Sequence, residues 1–128
     1  MLLGIHHVAI ICSDYQRSKH FYTELLGLKV LAENYRAERQ SYKLDLQLPD
    51  GGQLELFSFV DAPSRPSRPE AQGLRHLSFA VSDVAQTSAW LERAGIVVEP
   101  IRIDPYTGAA FTFFADPDGL PLEIYQRN

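Results

Sequence analysis

Two histidines and two glutamates carry most of the chemistry this sequence offers. His7 and His76 stand 69 residues apart, and Glu55 and Glu123 stand 68 apart. Each histidine opens an apolar phrase that ends in Ser-Asp, GIHHVAIICSD at 4–14 and GLRHLSFAVSD at 73–83, so Asp14 and Asp83 recur at the same offset. Each glutamate lies inside a strand-like phrase, QLELFSF or PLEIYQ. Side chains alternate across a strand. That groups His7 with Ala9 and Ile11, His76 with Ser78 and Ala80, Glu55 with Gln53, Phe57 and Phe59, and Glu123 with Pro121 and Tyr125. Val8, Ile10, Leu77, Phe79 and Val81 are left to pack beneath helices. A single strand glutamate is ordinarily a solvated edge residue, and a single histidine a surface or satisfied core group. Four of them at one repeat offset point instead to ligands of a borderline divalent ion, with imidazole suiting nickel, cobalt, zinc or iron and carboxylates completing the shell. His6 falls on the opposite face from His7, and the equivalent position is Arg75, so a structural role is expected. His20 lies among polar residues of a helix and is expected in solvent.

The elements that must position these residues repeat as well. Ser18, Phe21, Tyr22 and Leu25 keep helical spacing after the first phrase, and Val84, Thr87, Ser88 and Leu91 keep it after the second. Gln16 stands three residues after Ser13 and Gln86 three after Asp83, the spacing of a capping box. Gly27 and Gly95 follow where a helix C-terminus favours a left-handed residue. LKVLAENYR, SYKLDLQLP and GQLELFSFV then read as strands, as do IVVEPIRI, AAFTFFA and LPLEIYQ, the last three separated by DPYTG and DPDG turns. Each half is therefore β-α-β-β-β. The expected organisation is a single α+β domain over 1–128, built of repeats 5–60 and 74–127. The Pro/Ser-rich stretch 61–73 is expected to be a loop across one body.

Composition narrows the possible functions. With 45% hydrophobic and 22% charged residues over 128 positions, the chain is expected to bury a core of its own. A formal charge of −4 and no basic run argue against nucleic acid as a partner. The one cysteine, Cys12, cannot form an internal disulfide and sits in an apolar strand, where a buried thiol is expected. The N-terminal apolar stretch is too short for a membrane span and lacks the basic region of a signal peptide. A cytoplasmic protein without membrane contact is expected.

The paired halves, with HHVAIICSD, LELFSF, RHLSFAV and DPDGLPLEIYQ, resemble the vicinal oxygen chelate superfamily and, within it, the short bacterial proteins similar to glyoxalase I. The resemblance spans essentially the whole chain. It implies eight strands in two curled units that form a cupped mixed sheet, with one divalent ion (nickel, cobalt or zinc, with iron possible) held by His7, Glu55, His76 and Glu123. It also implies a homodimer whose sites are shared between subunits. The implied activity is that of a metal-dependent lyase or isomerase acting on a vicinal oxo or hydroxy substrate of hemithioacetal type through a metal-chelated enediolate. Glu123 is the expected proton carrier and Glu55 its symmetric counterpart.

Two positions depart from the glyoxalase I pattern. Ile11 and Phe59 stand where those proteins carry an arginine and an asparagine for glutathione, and apolar surface there disfavours a glutathione carboxylate. Candidate substrate-binding residues are Arg65, Arg68, Arg102, Phe57, Phe59 and Tyr125, with Arg36 and Tyr106 as further candidates. Another enzyme of the same scaffold, an epimerase or a non-haem iron dioxygenase, is an alternative, and so is a metal-independent dimer that sequesters a small molecule. Intact carboxylate ligands weigh against the last of these, because a binder has no reason to bury them uncompensated.

Overall fold

A computed structural model describes residues 1–127 and divides the chain into two compact units, Met1–Ser64 and the remainder from Arg65. The first unit runs β1 (His7–Cys12), α1 (Tyr15–His20), β2 (Lys29–Arg36), β3 (Ser41–Gln47) and β4 (Gln53–Ser58). The second runs β5 (Leu77–Val81), α2 (Val84–Arg93), β6 (Arg102–Ile103), β7 (Ala110–Ala115) and β8 (Pro121–Gln126). Each unit forms its own four-stranded mixed sheet, ordered β1-β4-β3-β2 in one and β5-β8-β7-β6 in the other. In both, the first strand, β1 or β5, joins its neighbour in parallel and the other pairs are antiparallel.

One face of each sheet is closed by its helix. Ile10, Cys12, Leu44, Leu46, Leu54 and Leu56 are buried with Ser18, Phe21 and Tyr22 in the first unit, and Phe114, Leu122 and Ile124 with Val84 and Leu91 in the second. Burying one such leucine stabilises the fold by about 1.5–3 kcal/mol, which explains why strand alternation is kept so strictly. The opposite face of β1 carries His7, Ala9 and Ile11, all exposed.

Both helices begin on an aspartate. The carboxylate of Asp14 accepts the Arg17 N–H at 3.1 Å, and that of Asp83 accepts the Gln86 N–H at 3.0 Å. The first cap is therefore Asp14 and not Ser13, one residue later than the capping-box spacing suggests; the cap falls where the chain leaves β1, and the charged group also favours the positive end of the helix. Helix α1 continues as a π-helical turn, Phe21–Leu25, before Gly27 takes the left-handed φ of 77° that a side chain there would strain.

One expected strand is much shorter than its apolar pattern suggested. IVVEPIRI contributes only Arg102–Ile103 to the sheet. Pro100 removes a ladder donor, and the segment before it is held by single bonds, Glu99 N–H to the Phe113 carbonyl at 3.0 Å and Thr112 Oγ1 to the Glu99 carbonyl at 2.7 Å. Among the described residues no helix is long and apolar enough to cross a membrane.

Candidate functional site

Register brings each histidine onto its glutamate. In the first unit Ala9 lies opposite Glu55, and His7, two residues earlier on the same face, reaches it diagonally. In the second, Ser78 lies opposite Glu123 and His76 stands two residues earlier. The resulting distances match: His7 Nε2 to Glu55 Oε2 is 3.5 Å, and His76 Nε2 to Glu123 Oε1 is 3.6 Å. Both exceed the roughly 2.7–3.2 Å of an N–H···O hydrogen bond. Two ligands each about 2.0–2.2 Å from one ion lie about 3–3.5 Å apart, so the pairs are close to ligand spacing. The carboxylates are nearly buried, at 14% and 12% side-chain exposure, whereas the imidazoles are 40% and 30% exposed. A nearly buried carboxylate calls for a cation, and the donor chemistry of each pair fits a divalent metal. Each unit contributes one nitrogen ligand and one carboxylate, and no three His, Cys, Asp or Glu side chains among the described residues cluster as a metal site.

The surroundings of the two glutamates differ. On β3, Asp45 lies opposite Glu55 and Lys43 opposite Phe57. Lys43 Nζ lies 2.7 Å from Asp45 and 3.9 Å from Glu55, which ties the first glutamate to a cation. The corresponding positions on β7 are aromatic, with Phe113 opposite Glu123 and Phe111 opposite Tyr125. His76 packs edge-on against Phe113 at 5.0 Å, and its Nδ1 is buried with no hydrogen-bond partner. Among the described residues Glu123 has no ion-pair partner other than the His76 imidazole.

His6 is closer to the chemistry than alternation suggested, because it precedes β1 and strand periodicity does not govern it. Its Nδ1 lies 3.0 Å from His7 Nδ1, and the rings meet edge to face. When His7 Nδ1–H donates to His6, the lone pair of His7 Nε2 is free on the side of Glu55, which is the tautomer a metal ligand needs.

The remaining expected residues fall into three groups. Phe57 and Phe59 stack at 5.8 Å with Arg36 over both, its guanidinium carbon 5.1 and 6.0 Å from the ring centroids. In the second unit Arg102 lies 4.9 Å from the Phe111 centroid and 5.6 Å from that of Phe113, and it pairs with Glu99 at 3.5 Å. Tyr125 stacks on Phe111, and its hydroxyl donates to Asp104 at 3.0 Å and meets Thr107, so this ring is anchored to the DPYTG turn. The Tyr106 N–H and the Tyr125 hydroxyl together hold the Asp104 carboxyl below the usual carboxylate range. Tyr106 itself is 94% exposed. Arg65 bonds Ser67 and the Arg68 N–H bonds Glu70, both within the connector, and neither contacts a His–Glu pair among the described residues. Cys12 is buried, as expected, with Sγ donating to the Phe57 carbonyl. His20 is exposed at the end of α1.

Twin β-α-β-β-β units, each presenting a His–Glu pair on an open sheet face, define the fold class, and the chain belongs to the Glyoxalase/Bleomycin resistance protein/Dioxygenase superfamily, which it matches over residues 4–124. It is 57% identical to YwkD of Bacillus subtilis (strain 168), an uncharacterized protein, over 99% of both chains, and 54% identical to YaeR of Escherichia coli (strain K12), also uncharacterized, over 98% of both. The crystal structure of a glyoxalase family protein from Enterococcus faecalis superimposes with a TM-score of 0.91 at 52% identity, covering 96% of this chain and 97% of that one. Relatives at lower identity carry diverse activities: 30% to the glutathione transferase FosA of Serratia marcescens, 28% to a 2-epi-5-epi-valiolone epimerase of Actinomyces sp, and 25% to a probable lactoylglutathione lyase of Vibrio cholerae.

Proposed function

We propose that this protein is a metal-dependent enzyme of glyoxalase I type that moves a proton between adjacent carbons of a vicinal oxo or hydroxy compound, with His7, Glu55, His76 and Glu123 as ligands of one divalent ion, nickel, cobalt or zinc. The observation that carries this reading is the duplicated pair, one nitrogen and one carboxylate oxygen at 3.5 Å in the first unit and 3.6 Å in the second. Four donors require two pairs, supplied by one chain or by two copies. A divalent ion there supplies Lewis acidity that polarises neighbouring substrate oxygens and acidifies the C–H beside them.

The rest of the chemistry belongs to the chain's own side chains. Glu123 takes the proton from one carbon and returns it to the next, a role supported by the absence of a lysine beside its carboxylate, where Phe113 stands opposite on β7. Glu55, tied through Lys43, acts mainly as a ligand. Ile11 and Phe59 leave no polar group for a glutathione carboxylate at those two places, which supports a substrate other than the glutathione adduct. An epimerase is the second reading, favoured by the 28% identical relative, and it differs in returning the proton to the carbon that lost it.

The test is proton exchange. Nickel-loaded protein is incubated in D2O with the methylglyoxal hemithioacetals of glutathione and of 2-mercaptoethanol and with small 2-hydroxy acids, and proton NMR follows the carbon positions. Metal-dependent exchange at a carbon bearing oxygen supports the reading; deuterium on the adjacent carbon marks an isomerase, and on the original carbon an epimerase. Conversion of a hemithioacetal to the 2-hydroxy thioester without deuterium uptake also supports an isomerase, and the absence of both exchange and conversion with all of these compounds contradicts the reading.

A further inference from the structure

Arg36 is a part-buried cation on the first open face with no anion among the described residues. It ends β2 opposite Ser41, on the same face as Asn34 and, across the ladder, Lys43. Of the other cations, Lys43 pairs with Asp45 and Glu55 and Lys19 with Glu33, while Lys29, at the far end of β2, is exposed to solvent. Arg36 has no carboxylate within ion-pair distance among the described residues. Its guanidinium lies on the stacked rings of Phe57 and Phe59, Nη2 donates to the buried Ser41 Oγ at 3.1 Å, and Nε is buried without a partner. Those contacts fix the plane of the group. Nη1 and the second proton of Nη2 have no partner among the described residues, and guanidinium donors of this kind suit the oxygens of a carboxylate. A half-buried, oriented and unpaired guanidinium is costly to keep unless a ligand completes it.

The position is also informative. Phe57, on which Arg36 rests, follows Glu55 by two residues on the same face of β4, one strand repeat or about 7 Å along the sheet. We propose that Arg36 recognises a carboxylate at the far end of the substrate, with Phe57 and Phe59 bedding the short apolar link between that carboxylate and the reacting oxygens. The substrate class is then a small 2-oxo or 2-hydroxy compound with a terminal carboxylate a few bonds away. This deepens the proposed function and rests on it only for the location of the reacting oxygens.

The experiment compares two probes that differ only at that end, 2-oxoglutarate and 2-oxopentanoate. Both are titrated calorimetrically into metal-free and nickel-loaded protein, in wild type, Arg36→Gln, Arg36→Lys and, as a surface control on α2, Arg93→Gln. Wild type and Arg93→Gln are expected to prefer 2-oxoglutarate by at least tenfold, with or without metal. Arg36→Gln is expected to abolish the preference, and Arg36→Lys, which keeps charge but not the fork, to retain only part of it. Thermal melting of each variant separates a lost carboxylate contact from a lost fold, and Arg36→Lys keeps the test decisive if Arg36→Gln does not fold. Equal binding of the two probes by wild type, including no detectable binding of either, overturns the proposal, as does a full preference that survives in both Arg36 variants. Failure of the metal reading shows separately, as nickel that tightens neither probe while the carboxylate preference persists.

Discussion

At the scale of single residues, the proposed mechanism gives the two carboxylates unequal tasks. Glu123→Gln keeps the shape and removes the proton carrier, so turnover should fall by about 10²–10⁴-fold with metal binding only weakened. Glu55→Gln should show the reverse emphasis, a larger loss of metal affinity than of turnover in metal-saturated protein. Paired kinetic and metal-binding titrations check this, and equal losses from both substitutions would contradict the division of labour. His6→Ala removes the hydrogen-bond partner of His7 Nδ1 and, if that bond orients His7 as a ligand, should weaken metal binding by about 10–100-fold, measurable by competition with a chromophoric chelator. These partners were only partly legible in the sequence. The four proposed ligands stood out because His and Glu recur at nearly one offset, but alternation alone could not show that Lys43 would sit beside Glu55 while Phe113 sits beside Glu123. That depends on the β3–β4 and β7–β8 registers, which turns and packing decide.

At the scale of elements, the caps and one turn carry testable energy. Asp83→Ala leaves the first turn of α2 without its acceptor and should cost about 1 kcal/mol of stability, read from urea unfolding. Asp104, at the DPYTG turn, holds its carboxylate below the ordinary range by accepting from the Tyr106 N–H at 2.8 Å and from Tyr125. A depressed carboxyl contributes stability above its unfolded value, about 4, and loses it as pH falls through the lower folded value. Wild type should therefore exceed Asp104→Asn in stability near pH 6, with the difference shrinking towards pH 3; a constant difference would show that the charge is not responsible. Helix starts, glycine stops and most strands were legible because each has a local cause. The short β6 was not, since the apolar run IVVEPIRI reads as a strand until Pro100 and the single bonds to β7 interrupt its ladder.

For the molecule as a whole, duplication is the organising fact. Two units of the same order, each with a His–Glu pair on its open face, were readable from the 69-residue repeat, and the superfamily match over 4–124 agrees with them. The substrate was not readable in this way, because the side chains proposed to recognise it, such as Arg36 and Phe59, lie outside the repeated pattern. The central claim is that both pairs hold metal, and metal content tests it most directly. Protein loaded with nickel, desalted and subjected to elemental analysis should retain about one ion per four ligands, that is, one per chain, and both His7→Ala and His76→Ala should lose it. Retention unchanged in both variants, or no retention by wild type, would contradict the account.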